Sequence, residues 1–208
     1  MKLIDISHVL DENTPVFPGD CPTRLTEYKT AETDAYTAYR LQSGLHTGTH
    51  IDMPMHLTGD ARAAADFPAD SFMGKGVLLD VRGEASIAMK PVYREMVEER
   101  DIVLLFTGFD RHYFTSEYFT GHPVVSPALA EFLLSKNIKI LGMDMPSPDS
   151  PPFAFHKRLL ENGIFVLENL TNLQSLAGVK KFRVLALPLK IRAEASFVRA
   201  VCEVGGGE

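Results

Sequence analysis

Residues 46–56 read HTGTHIDMPMH, and the conformation of this segment separates two very different architectures. Three histidines, His46, His50 and His56, fall within these residues, with Asp52 between them. On a helix, His46 and His50 would share a face at i and i+4. Gly48, the β-branched Thr47, Thr49 and Ile51, and then Pro54 all oppose a helix. The helical zinc-protease motif HExxH also needs a glutamate directly after its first histidine, where this chain has Thr47. An extended reading fits better. His46, His50, Asp52 and His56 occupy even positions, which share one face of a strand. The odd positions Leu45, Thr47, Thr49, Ile51 and Met53 suit the packed face opposite. Imidazole and carboxylate are the usual ligands of a borderline divalent metal, and three protein ligands leave a position open for chemistry. The segment therefore predicts a catalytic metal centre on a β-strand.

Working outward, short runs rich in Val, Ile, Leu and Phe predict further strands at 2–6, 36–42, 77–81, 102–106, 138–141, 164–167, 182–187 and 197–201. Helix signals fall between them. Ser126-Pro127 predicts an N-cap with proline at the first helical position. Asn162-Gly163 predicts a helix end with a left-handed cap, Thr171 with Gln174 has capping-box spacing, and 92–100 is a further short helix. Strands interleaved with helices predict one α/β domain spanning 1–208. The proline- and serine-rich stretch 146–152 sits too centrally for a linker and reads as a structured loop bordering a site.

Composition narrows the function. A net charge of -6, with a basic cluster only at Lys180, Lys181 and Arg183, argues against nucleic acid as a partner. No apolar run approaches the ~20 residues of a membrane helix, and MKLIDISHVL has no apolar stretch of signal-peptide length, so a cytoplasmic protein is expected. Cys21 and Cys202 form no CxxC pattern and read as free thiols. Away from the histidine segment, His156, Glu168 and Asp144 end or begin ordinary apolar runs. Taken alone, His156 and Glu168 read as a helix-start histidine and a strand-end carboxylate, and Asp144 as a contact to the ligands or the substrate.

The same residues carry a likeness. HTGTHIDMPMH is similar, without a gap, to the motif HxGTHxDxPxH of the cyclase-like metal-dependent hydrolases, which include bacterial kynurenine formamidase. DIS followed by TPVFPGD, TGFDRH at 107–112, GHP at 121–123, GMDMPSPD at 142–149 and the His156-to-Glu168 spacing extend the resemblance over nearly the whole chain. The resemblance implies the family's swivelling β/β/α fold and a homodimer. It implies that His46, His50 and Asp52 bind one metal ion, that Asp52 and Glu168 bridge to a second with His156 as its ligand, and that His56 is the general acid/base. One position departs: kynurenine formamidases have WPGD where this chain has Phe17 before PGD, and the chain has no tryptophan.

The expected chemistry is hydrolysis of an amide or formamide C–N bond in a small aromatic substrate. Mixed nitrogen and oxygen ligands suit zinc, manganese or iron(II). Phe17, with Pro15 and Pro18, would wall the substrate. An isatin-type lactam or ester hydrolase, a lyase, and a metal-binding protein without enzymatic activity are the competing readings. His56 argues against the last, since structural coordination does not require it.

Overall fold

The computed structural model describes residues 2–205. In chain order its strands are β1 (Lys2–Asp5), β2 (Arg24–Lys29), β3 (Ala38–Gln42), β4 (His50–Asp52), β5 (Met73–Asp80), β6 (Ser86–Ile87), β7 (Ile102–Phe106), β8 (Val124–Val125), β9 (Ile140–Met143), β10 (Phe165–Glu168), β11 (Phe182–Leu185), β12 (Ala195–Phe197) and β13 (Val201–Val204). Its α-helices are α1 (Ala31–Asp34), α2 (Tyr93–Met96), α3 (Pro127–Ser135) and α4 (Ala154–Glu161). One sheet dominates, in the order β1-β13-β11-β5-β7-β9-β10-β4-β12. Its centre, β5-β7-β9-β10, is parallel, and both flanks are antiparallel. This is the mixed α/β architecture expected.

The two innermost strands, β7 and β9, carry no polar side chain because both of their faces are covered, as parallel strands require. Along β7, Val103 and Leu105 enter one buried cluster with Leu129 and Leu133 of α3 and Leu159 of α4. Ile102, Leu104 and Phe106 alternate into a second cluster with Phe72, Leu173 and Leu176. Phe165 and Leu167 of β10 join the second cluster while Val166 joins the first. By the same alternation Glu168 shares the helix-covered face with Val166.

Ser126 caps α3 as expected, its side chain accepting from the Leu129 amide, and Gly163 takes φ +70° just past α4. Other elements differ from the sequence reading. The helix expected over 92–100 is one turn, because Val97 turns extended and buries its side chain. Thr171 caps nothing; its hydroxyl donates to Asp110 Oδ2 at 2.8 Å. The strand expected at 197–201 straddles a break between β12 and β13. β5 begins at Met73 rather than Val77, and one of the two glycines it adds, Gly76, has a packing reason. A Cβ on Gly76 would lie 2.1 Å from the ring of Phe182, so only glycine admits that ring against the strand. β2 carried no apolar signal because it lies outside the main sheet, paired only with β3, and is largely exposed.

Candidate metal centre

β4 lies between β10 and β12, near one edge of the sheet. Glu168 is directly opposite His50, and Ala195 opposite Asp52. His50 and Asp52 project to the helix-covered face while Ile51 packs into the other cluster, so the alternation predicted for the segment holds within β4. It does not extend further. His46 lies in a bend that includes Gly48 at φ +63°, and His56 ends a 3-10 turn begun by Pro54. The side chains converge, but a bend and a turn bring the outer two in, where a continuous strand was expected. α4 lies over this face, and its first turn brings in His156.

Asp52 is the hub. Its Oδ1 lies 2.9 Å from His46 Nδ1 and 3.4 Å from His50 Nε2, and its Oδ2 lies 3.1 Å from His156 Nε2. Glu168 closes the ring, with Oε2 3.4 Å from His50 Nε2 and Oε1 3.6 Å from His156 Nδ1. Two overlapping ligand groups result, His46–His50–Asp52 and Asp52–His156–Glu168, and Asp52 belongs to both. His50 Nε2, both Asp52 oxygens, His156 Nε2 and Glu168 Oε1 are buried and, among the described residues, make no hydrogen bond. Lewis-basic atoms crowded in this way repel one another unless a cation lies among them, and a buried polar atom left unpaired costs roughly 1–3 kcal/mol. Among the described residues no lysine or arginine pairs with Asp52 or Glu168. The donor set therefore fits a divalent metal.

The electrostatics agree. Burial disfavours a charged His46 ring, yet Asp52 beside it pushes its pKa up to about 9. Burial also opposes ionisation of Asp52, and His46, His50 and His156 together hold its carboxyl well below the usual range. Positive charge is drawn to this point. His56 behaves oppositely. Burial, with the neighbouring histidines, pulls it down to about 4, so its ring is neutral at pH 7. It lies 4.0 Å from His46 and 5.7 Å from His156 between ring centroids and, among the described residues, pairs with neither carboxylate.

A second layer holds these side chains. His50 Nδ1 lies 2.8 Å from the Gly48 carbonyl, which turns Nε2 toward the carboxylates. Asn169, at φ +55°, donates from Nδ2 to the same carbonyl and accepts from the Tyr118 hydroxyl. Asp144 does not line the cleft. It is fully buried and accepts from the Thr107 amide, the Thr107 hydroxyl and the Gly108 amide, so it ties down the turn after β7.

A cleft of about 280 Å³ opens onto His46, Asp52, His56, His156 and Glu168. Phe17 lines it, 39% exposed, and makes edge contacts with Phe119 at 5.7 Å and Phe153 at 6.4 Å. The sequence reading picked out only Phe17 of these three. Phe119 and Phe153 sit in loops with no local pattern, although the 146–152 stretch, expected to border a site, does supply Pro146 and Ser147 to the cleft.

Residues 4–150 match the family described as "Putative cyclase". The chain is 32% identical over 203 residues to a kynurenine formamidase of Bacillus cereus, covering 95% of each. Among solved structures it resembles isatin hydrolase A from Labrenzia aggregata, bound to benzyl benzoate, with TM-score 0.86 and 23% identity over 99% of this chain and 94% of that one. It also resembles a potential metal-dependent hydrolase with cyclase activity, with TM-score 0.79 and 22% identity over 99% of each chain. These two likenesses concern the fold.

Proposed function

From the premise that this chain belongs to the cyclase family, we propose that it is a metal-dependent hydrolase of C–N bonds, acting on a small aromatic amide. The observation that carries the reading is the Asp52 carboxylate, with His46 and His50 at one oxygen, His156 at the other, and buried atoms around it that, among the described residues, lack hydrogen bonds. His46, His50 and Asp52 would hold one divalent ion, and Asp52, His156 and Glu168 a second. Zinc is the first choice for these ligands and manganese the alternative. When bound, the metal supplies Lewis acidity that activates water and polarises a carbonyl.

The protein supplies the rest. His56, neutral at pH 7, accepts a proton from the attacking water and returns it to the leaving nitrogen as the C–N bond breaks. Phe17, Phe119 and Phe153 offer an aromatic wall and exclude water from one side of the cleft. Similarity to kynurenine formamidases across 95% of the chain supports an N-formyl arylamine as substrate. One observation favours a neutral lactam of the isatin type as the second reading. Among the described residues, Asp20 is the only charged one lining the cleft apart from the histidines and carboxylates of the centre, so a substrate carboxylate would meet no described lysine or arginine there.

Elemental analysis of the purified protein, with turnover measured on N-formylkynurenine, isatin and a simple aryl ester, tests the proposal. Hydrolysis of a C–N substrate that a chelator abolishes is expected. Full metal content with no turnover of either C–N substrate would overturn it.

A further inference from the structure

The three histidines around Asp52 are held in different ways. A neutral imidazole has one N–H, and the nitrogen that carries it cannot be a ligand, so each metal-binding histidine needs something to fix its tautomer. For His50 that is the Gly48 carbonyl, 2.8 Å from Nδ1. A carbonyl can only accept, so Nδ1 carries the hydrogen and Nε2 faces the carboxylates. The His156 ring lies between two carboxylates, with Nε2 toward Asp52 and Nδ1 toward Glu168.

His46 has no such backbone partner, and it lies in a bend rather than on the strand. Its Nδ1 faces Asp52 at 2.9 Å. Its far nitrogen, Nε2, faces Glu194 Oε1 at 3.5 Å. No sequence signal marks Glu194, which sits in the run KIRAEASF ahead of β12. Its position is nevertheless fixed. The Glu194 carbonyl accepts from the Met53 amide at 2.9 Å, one residue from Asp52, and Ala195 pairs with Asp52 across β12 and β4. The carboxylate is thus carried by the residue that leads into the strand beside β4. Metal-bound histidines commonly donate their other N–H to a carboxylate, and loss of that partner typically weakens metal binding about 10–100-fold.

We propose that Glu194 is a positioning residue of the metal centre, holding His46 as the Nε2–H tautomer so that Nδ1 is presented to the metal. The inference rests on the proposed metal site. At 3.5 Å the contact is too long for a tight hydrogen bond, and the negative charge of Glu194 beside Nε2 favours the hydrogen on that nitrogen. Glutamine keeps the oxygen and loses the charge.

The test is the Zn²⁺ dissociation constant of the full chain, measured by chelator competition for the wild type, Glu194→Gln and Glu194→Ala. The melting temperature of each metal-free protein serves as the control for folding. Glu194→Ala is expected to bind Zn²⁺ about 10–100-fold more weakly and Glu194→Gln to fall between it and wild type, with the metal-free melting temperatures alike. Wild-type affinity in Glu194→Ala would overturn the proposal and leave the metal site standing. If Glu194→Ala disturbs the metal-free fold, the isosteric Glu194→Gln decides, and unchanged affinity in it overturns the role of the charge. A wild-type chain that binds no Zn²⁺ would overturn both the proposal and the site it rests on.

Discussion

His56 and His50 lie in the same cluster and are expected to fail in opposite ways. His50 Nε2 is buried between both carboxylates and, among the described residues, makes no hydrogen bond, which fits the proposed ligand role. His56 lines the cleft and, among the described residues, pairs with no carboxylate. His56→Ala should lower kcat by about 10²–10⁴ while metal content stays near wild type. His50→Ala should lose metal and activity together. Elemental analysis and initial rates on the two variants decide between the roles, and metal loss in His56→Ala would make it a ligand. His8 makes a different prediction, about stability. It stacks on Tyr113 at 3.7 Å between ring centroids, and burial pulls its pKa down to about 4. The unfolded chain takes up this proton near pH 6.5, well before the folded one does. The contribution of His8 to stability is therefore fully present above pH 6.5 and is lost as pH falls toward 4. With allowance for partial exposure this amounts to about 1–2 kcal/mol. His8→Phe, which keeps the stack, should flatten denaturation midpoints between pH 6.5 and 4 relative to wild type. Parallel curves for the two proteins would refute the shift.

Among the elements, the approach to β4 carries the most consequence. Gly48 at φ +63° lets the chain bend so that His46 turns back toward Asp52, and its carbonyl orients both His50 and Asn169. A Cβ there would face strain from the left-handed backbone and contact Leu10 at 3.4 Å. Gly48→Ala should cost about 1–2 kcal/mol, visible in thermal melts, and should weaken metal binding because the carbonyl moves. Unchanged metal affinity would show that the bend is only structural. This loop also shows what the sequence could reveal. His46, His50, Asp52 and His56 were legible because they are neighbours in the chain, and a cluster of ligand-type side chains is a local signal. Their conformation was legible only in part, since the alternation rule fails at the glycine and the proline. His156 and Glu168 become candidates only through family likeness, because what unites them with Asp52 is the pairing of β10 with β4 and the packing of α4 over both. Glu194, Asn169, Phe119 and Phe153 left no sequence signal, since each acts through a neighbour distant in the chain. The parallel core strands could be read as strands because both faces are apolar. Their order could not, because pairing partners are set by contacts far apart in sequence.

On the scale of the whole molecule, a metal held at the proposed centre would join parts that are otherwise independent. His46 comes from the bend before β4, Asp52 from β4, Glu168 from the end of β10 and His156 from α4, so one ligand set fastens three elements of the sheet and helix layers. Two buried carboxylates, Asp52 and Glu168, meet there, and among the described residues only histidines face them as counter-charges. In the folded chain their mutual repulsion is relieved most completely by a bound cation, whereas the unfolded chain holds these groups far apart and in water. A metal held there would bind the native state far better than the unfolded one, and the difference would stabilise the fold by mass action. At a free metal concentration of 100 times the dissociation constant this amounts to about 2.7 kcal/mol. For a chain of this size each kcal/mol moves the melting temperature by about 2–4 °C, so saturating zinc should raise it by roughly 5–11 °C over chelator-treated protein. His50→Ala removes a ligand common to this linkage, and its melting temperature should respond little to zinc. Calorimetry on both proteins, with and without chelator, measures the effect directly. A wild-type melting temperature indifferent to zinc and chelator would mean that no ion links these elements, and the unpaired atoms around Asp52 would then need another partner, such as protons shared between the histidines and the carboxylates.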